Sequence, residues 1–186
     1  KNMKNRRTFV KQLGLGTVGA SLLTSLPHSL FAKSSMASPY PISLAQFSLA
    51  SEFFMGNHDT LEFPARAKNE YGLSIVEYVS MFFKDKANDS SFFKELKMRT
   101  DDLGVANNLI MVDDENIADL DKEKRDHAVE SHYKWVDAAK ILGCKSIRVN
   151  LGGMDQTGTA EEVAEAALEG YSKLLEFGDR NGMDII

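Results

Sequence analysis

Two polar residues in an otherwise apolar stretch are the first candidates for chemistry. Along Ser146–Gly153, apolar residues alternate with Arg148 and Asn150, as on a strand whose successive side chains face opposite sides. A guanidinium offers forked donors to a carboxylate or phosphate, and an amide both donates to and accepts from a hydroxyl. We therefore predict that Arg148 and Asn150 bind substrate oxygens. The alternative is a buried structural pair, such as Arg148 with Glu77 on a neighbouring strand.

Four other residues are predicted to contribute to substrate binding. Gln46 shares one face of a predicted strand with Ser48, and Glu77 lies on the next strand, where a structural role is the alternative. His58 follows the first strand, where a histidine could bind substrate or transfer a proton, although a solvent-exposed loop histidine is the commoner outcome. Asp113 stands at a strand end, where a functional role competes with simple solvation of the following helix.

No catalytic or metal-binding residue is predicted within this sequence. His127 and His132 are five residues apart on one helix and so do not share a ligand face, and His132 is predicted to pack or hydrogen-bond beside Trp135. A Gly-x-Gly-x-x-Gly pattern at 14–19 lacks the preceding strand of a dinucleotide site. Neither a Ser/His/Asp arrangement nor a zinc-type Cys/His spacing is present.

Composition excludes some classes of protein. The 186 residues are 43% hydrophobic and 26% charged, which is typical of a globular chain with a real core. The formal net charge of -5 provides no general basic field for nucleic acid, so no nucleic-acid partner is predicted. The single cysteine, Cys144, is expected to pack as a small apolar residue.

Residues 1–37 are predicted to be a targeting signal. Arg6-Arg7 precedes a weakly apolar, glycine-rich run, which resembles the twin-arginine export signal of bacteria and predicts a periplasmic protein. The run is too polar and interrupted for a membrane span, so no stable span is expected after signal removal. An amphipathic helix belonging to the domain is the alternative. Residues 38–41 are predicted to be a linker.

From residue 42 onward the chain repeats a strand, a helix and a glycine. Gly72, Gly104, Gly143 and Gly182 are spaced by 32, 39 and 39 residues, and each precedes a predicted strand. This βα repeat predicts a parallel sheet covered by helices, either doubly wound or a (β/α)8 barrel of typically about 250 residues. The predicted strands are 42–49, 74–80, 105–113, 146–153 and one from 183; the predicted helices are 61–71, 88 or 89 to 103, 121–142 and one capped at 159–162.

Five segments in order resemble one family. They are Ile42–Leu49, Ile75–Val79, Leu109–Asp113, Trp135–Cys144 and Ser146–Gly153, and they are similar to the xylose-isomerase-like TIM barrels of the sugar phosphate isomerase/epimerase superfamily, in particular its exported bacterial members. The resemblance implies that residues 42–186 are the N-terminal half of an α/β TIM (β/α)8 barrel, about the first four and a half βα units. The sequence then stops inside the fifth strand.

The resemblance also implies an activity. Members typically act on a sugar or sugar-like polyol as metal-dependent isomerases or epimerases, removing a proton next to a carbonyl. It implies a divalent ion (Mn, Mg, Co or Zn) with ligands beyond Ile186 and an inactive isolated segment. Assembly of identical subunits is compatible with these expectations. The active-site rim is expected from the loops 46–58, 77–83, 113–116 and 150–156. A non-catalytic carbohydrate-binding barrel and an endonuclease of the same superfamily are the alternatives.

Overall fold

A computed structural model describes residues 40–113, 115–152 and 156–186, which belong to one compact unit, 40–186. The predicted export signal, the first two of the four predicted linker residues, the glycine-rich pattern at 14–19 and Gly153 lie outside the described residues. The elements in chain order are β1 (Leu44–Ala45), a 3-10 helix (Gln46–Leu49), α1 (Ala50–Phe54), α2 (Phe63–Tyr71), β2 (Ile75–Val79), a 3-10 segment (Ser80–Lys86), α3 (Ser90–Leu103), β3 (Ala106–Val112), α4 (Lys122–Leu142), β4 (Ser146–Val149), α5 (Ala160–Asn181) and β5 (Asp184–Ile185).

The order of the strands distinguishes the two predicted architectures. The five strands are parallel and follow one another as β1-β2-β3-β4-β5, so each strand pairs with the next one in the chain. A doubly wound sheet instead reverses its strand order at a switch point. An unreversed order with helical crossovers is that of a (β/α)8 barrel, and the chain forms the first part of such a barrel.

Side chains near the helix ends set where the three long helices begin. The Asp89 carboxylate accepts hydrogen bonds from two backbone amides of α3, and the Asp121 carboxylate does the same for α4. Thr159 and Glu162 form the predicted capping box of α5. The predicted boundaries of these helices are therefore confirmed.

One face of the sheet makes the hydrophobic core. Val76, Tyr78, Ile110 and Ile147 are buried against the helices, among aromatic rings that include Trp135. Because strand side chains alternate, Glu77, Met111 and Arg148 lie on the opposite face. We call that opposite face the concave face, since it lines the interior of a barrel.

The prediction that the first strand covers 42–49 is wrong. The strand ends at Ala45, and Gln46 begins a 3-10 helix that continues into α1. The Gln46 side-chain oxygen accepts a hydrogen bond from the amide of Val79 at 3.0 Å, so a side chain bonds the end of β2. Leu49 and Phe53 are four residues apart and pack on the same core, which favours a helix there.

At Gly170 on α5, the structure predicts that alanine destabilises the fold, whereas helix propensity predicts that it stabilises the helix. A Cβ there would lie 2.0 Å from the carbonyl oxygen of Ile117, a backbone atom that cannot rotate away. Propensity alone favours alanine over glycine in a helix by about 0.5–1 kcal/mol. We expect Gly170→Ala to lower the free energy of unfolding by about 1–3 kcal/mol, as overpacking does. Urea titration checks this against Ser172→Ala, an exposed change on the same helix; a stabilised Gly170→Ala variant would contradict the close approach.

Candidate functional site

Three of the predicted substrate-binding residues meet where β3 and β4 end. Arg148 Nη2 donates to Asp113 Oδ1 at 2.5 Å, and the Asn150 side-chain amide donates to the same oxygen at 3.0 Å. The Arg148 side chain stays 42% exposed and that of Asp113 20% exposed, so the pair borders solvent. The carboxyl ends of barrel strands are where active sites lie. We call Asp113, Arg148 and Asn150 the rim cluster.

Glu77 is not part of the rim cluster. Its Oε1 accepts hydrogen bonds from Ser43 at 2.7 Å and from Asn108 at 2.9 Å. Glu77 is opposite Leu109, whereas Arg148 is opposite Met111, two residues further along the same strand. Two residues of parallel strand correspond to roughly 6.6 Å. The alternative in which Arg148 pairs with Glu77 is therefore wrong, because Arg148 lies nearer the rim and bonds Asp113.

An irregularity in β3 places Asn108 beside Glu77. The register passes from Val76 opposite Asn107 to Glu77 opposite Leu109, which leaves Asn108 as the extra residue of a bulge. Asn107 then bonds the Tyr78 hydroxyl, at 2.7 Å, while Asn108 reaches Glu77 on the concave face. The bulge thus directs two consecutive asparagines to different partners.

Gln46 does not share a strand face with Ser48, contrary to the prediction. It is fully buried, and both ends of its amide bond protein groups: Nε2 donates to Thr60 Oγ1 at 2.9 Å, and the oxygen accepts from the Val79 amide. Its side chain is therefore occupied in joining the loop after β1 to the end of β2. Ser48 is exposed.

His58 lies on the loop after β1, as expected, but it is not a free surface histidine. Its Nε2 lies 2.5 Å from Glu52 Oε2, and Arg66 donates to the same carboxylate oxygen at 2.8 Å. The ring also contacts Phe53, with the two ring centroids 5.9 Å apart. His58 borders a cleft of about 280 Å³ with residues of the segment after β2. In the part of the chain that the structure describes, His58 makes no hydrogen bond to the rim cluster.

The loops after β3 and β4 meet, as predicted for the rim. The Asn116 side-chain amide donates to Gln156 Oε1 at 2.9 Å, and Gln156 Nε2 reaches the carbonyl of Ala118 at 3.3 Å. These bonds hold together the two loops that follow the rim cluster. The described rim is therefore assembled from neighbouring βα loops.

A group of exposed and half-buried aromatic side chains follows β1 and β2. Phe82 contacts the rings of Phe47, Phe53 and Phe54, with centroid distances of 6.3, 4.8 and 5.3 Å. Phe47 is 52% and Phe54 68% exposed. Contiguous exposed apolar surface at the functional end of a fold is typical of ligand grooves and interfaces. A strand at 42–49 does not predict this group, because the rings of Phe47, Phe53 and Phe54 come together only when 46–54 is helical.

His132 is buried in the core and hydrogen-bonded, as predicted. Its Nδ1 donates to the carbonyl of Ala128 at 2.7 Å, and its Nε2 has no hydrogen-bond partner in the described structure. Burial lowers the pKa of His132 below its ordinary value of 6.5, and the bond to Ala128 opposes this only in part. Folding therefore favours the neutral form of this ring.

A pH dependence of stability follows from His132. Unfolding exposes the ring, which then takes up a proton as the pH falls through about 6.5. Since the unfolded state binds more protons, we expect stability to fall below that pH and to level off below the folded-state pKa. The His132→Leu variant should lose this component, so its free energy of unfolding should approach or exceed the wild-type value as the pH is lowered. His127→Leu, an exposed change on the same helix, is the control; parallel profiles for wild type and His132→Leu would contradict the prediction.

The described residues do not form a metal site by themselves. Within 40–113, 115–152 and 156–186, no group of three or more histidine, cysteine or carboxylate side chains could hold an ion. The rim cluster has one carboxylate, and this carboxylate is already bonded to Arg148 and Asn150. The described helices also include none with both the length and the apolarity of a membrane span.

Comparison with known proteins supports the fold. No protein-family model matches the sequence, and no curated protein does. Among solved structures, the chain resembles a D-psicose 3-epimerase crystallised with D-fructose (11% identity, 77% of this chain and 50% of that chain, TM-score 0.61). It also resembles the IolI protein with a bound zinc atom (13%, 78% and 50%, TM-score 0.62) and a sugar phosphate isomerase/epimerase from Parabacteroides distasonis (16%, 82% and 52%, TM-score 0.57).

These likenesses define the class of fold. The chain has the fold of the xylose-isomerase-like TIM barrels and spans about half the length of the structures that it matches. The prediction of a partial (β/α)8 barrel of this type is confirmed. The roles of Arg148, Asn150, Asp113 and Glu77 in substrate binding stay predictions.

Proposed function

We propose that the protein is an isomerase or epimerase of a sugar or sugar-like polyol, and that the concave face described here binds and orients that sugar. The observation that carries the proposal is the rim cluster, in which Asp113, Arg148 and Asn150 meet where β3 and β4 end. Several solved structures with the same fold are epimerases or isomerases of sugars by name. Fold and rim chemistry thus support the same substrate class.

The rim cluster has the donors and acceptors that a polyol requires. The Asp113 carboxylate only accepts, the Arg148 guanidinium only donates, and the Asn150 amide does both. The Arg148 Nε–H is buried without a partner in the described structure. A sugar hydroxyl can donate to one of these groups and accept from another. In this proposal the three residues hold the substrate in place while its carbonyl carbon and the adjacent carbon react.

The proposal includes a divalent metal ion whose ligands lie outside the described residues. A bound metal would supply Lewis-acid stabilisation of the oxygen on the reacting carbon. The described residues do not fit such an ion, and we assign to them binding and orientation only. The base that removes the proton is likewise proposed to lie outside them.

Solvent exchange tests the proposed activity. The complete gene product is incubated in D2O with ketoses such as D-fructose and D-ribulose, and proton NMR follows the signals of the carbons next to the carbonyl. We expect deuterium incorporation together with a new epimer or isomer, and loss of both after chelation with EDTA. Sugar binding without exchange would favour the non-catalytic carbohydrate-binding barrel, and neither binding nor exchange would overturn the proposal.

We also propose export through the twin-arginine route, on the basis of Arg6-Arg7 and the weakly apolar, glycine-rich run that follows. Replacing both arginines by lysine should prevent appearance of the protein in the periplasm, because a receptor reads that pair as an address. Cell fractionation followed by immunoblotting measures this. The control is Lys4→Arg, which keeps the charge and leaves the pair intact. Unchanged export of the double variant would contradict the proposal.

A further inference from the structure

The charged residues of the concave face determine which ligand charge this face can accept. Among the described strands and their ends, the ionisable residues of this face are Glu77, Asp113, Arg148 and Asp184. Asp184 is placed there because it is opposite Ser146, which shares the face of Arg148. Three carboxylates thus accompany one guanidinium.

Arg148 is the one cationic residue of these four, and it is paired with Asp113. The carboxylate of Asp113 contacts Arg148 Nη2 at 2.5 Å, and this pair is partly exposed. An arginine that recognises a phosphate ordinarily presents both of its terminal nitrogens to it. Here one of the two terminal nitrogens is already engaged, and its charge is balanced by the neighbouring carboxylate.

The remaining groups of the face favour a ligand that can donate hydrogen bonds. Glu77 receives its two described hydrogen bonds from the uncharged side chains of Ser43 and Asn108, so its negative charge is not balanced by them. Carboxylates accept hydrogen bonds only, and a phosphate ester at neutral pH has two negative charges and mainly acceptor oxygens. A hydroxyl both donates and accepts. Like charges facing each other across a partly buried face repel.

We infer that this site selects uncharged sugars over sugar phosphates, and that Asp113 is the residue that sets this preference by neutralising Arg148. The inference rests on the proposed function and adds the substrate class to it. Removal of the Asp113 charge should release Arg148 for an anionic ligand. An amide at this position keeps an oxygen that can accept the hydrogen bond from Asn150.

Calorimetric titration of the complete gene product tests the inference. Two matched pairs of ligands are used: D-fructose with D-fructose 6-phosphate, and D-ribulose with D-ribulose 5-phosphate. We expect the wild-type protein to bind the free sugar of at least one pair at least tenfold more tightly than its phosphate ester. In Asp113→Asn that ratio should fall at least tenfold through a gain in affinity for the ester. Asp101→Asn, on the exposed side of α3, should leave the ratio unchanged.

Each outcome decides between the two proposals. Tighter binding of the esters by wild type overturns the inference while supporting a sugar-binding protein. Equal losses for both ligands in Asp113→Asn would show that Asp113 serves only to hold the rim together, and would overturn its role in selectivity. Binding of none of the four ligands by wild type contradicts the proposed function, and the inference with it. The wild-type comparison stands even where the variant folds poorly.

Discussion

An Arg148→Met variant is expected to bind sugar about 10- to 150-fold more weakly than wild type. The guanidinium bonds Asp113, has a buried Nε–H without a described partner and remains partly exposed at the rim. A hydrogen bond to a charged group contributes about 1.5–3 kcal/mol, and about 1.4 kcal/mol corresponds to a factor of ten in affinity. Methionine keeps much of the aliphatic length, so the change removes the charge and the donors while packing is largely conserved. Calorimetry with the tightest-binding sugar measures the loss.

Arg180→Met is the matched control for this variant. Arg180 lies in the last turn of α5, at the opposite end of the barrel from the rim, and contacts the Phe177 ring. Its replacement should leave sugar affinity unchanged. Equal affinities for wild type and Arg148→Met would remove Arg148 from the binding site, whereas equal losses in both variants would indicate a general effect on the fold.

The largest expected loss of stability follows from replacing Trp135. This side chain of α4 is 2% exposed. It packs edge-on against Phe83, in the segment after β2, with ring centroids 5.6 Å apart. Truncation of a buried tryptophan to alanine costs about 3–5 kcal/mol, because transfer free energy is lost and a cavity remains. The total stability of a domain is commonly about 5–15 kcal/mol. We expect Trp135→Ala to lose a large part of its free energy of unfolding, as measured by guanidinium denaturation with far-UV circular dichroism.

Tyr71→Ala provides the comparison for an aromatic side chain outside the core. Tyr71 ends α2 and is 44% exposed. Its truncation should cost far less than that of Trp135, since exposed substitutions commonly change stability by less than about 0.5 kcal/mol. Similar losses in the two variants would contradict the assignment of Trp135 to the centre of the core.

The repeating pattern of the sequence predicted most of the fold. Helical spacing, capping residues and terminating glycines act locally, so α2 to α5 and their order could be recognised without tertiary information. The segment after β1 could not, because Gln46 bonds the amide of Val79, 33 residues away. The alternation of polar and apolar residues at 46–49 suits a strand, and only this distant partner explains why the strand ends at Ala45.

The sequence identified residues of the candidate site better than it identified which of them bond to each other. Arg148 and Asn150 stand out because polar residues in an apolar strand need a partner. The identity of that partner depends on register: Arg148 is opposite Met111, which brings Asp113 within reach and leaves Glu77 one layer below. The bulge that turns Asn108 towards Glu77 also depends on how β2 pairs with β3. An asparagine pair inside an apolar strand was the signal available in the sequence.

We propose that sugar binds on the concave face of the sheet, at the rim cluster. A crystal structure of the complete gene product with its tightest-binding sugar tests this most directly. We expect sugar hydroxyls within hydrogen-bonding distance of Arg148 and Asn150, with the aromatic rings that follow β1 and β2 nearby. A sugar bound instead among the helices on the outer side of the sheet, with Arg148 and Asn150 contacting only protein, would contradict the account.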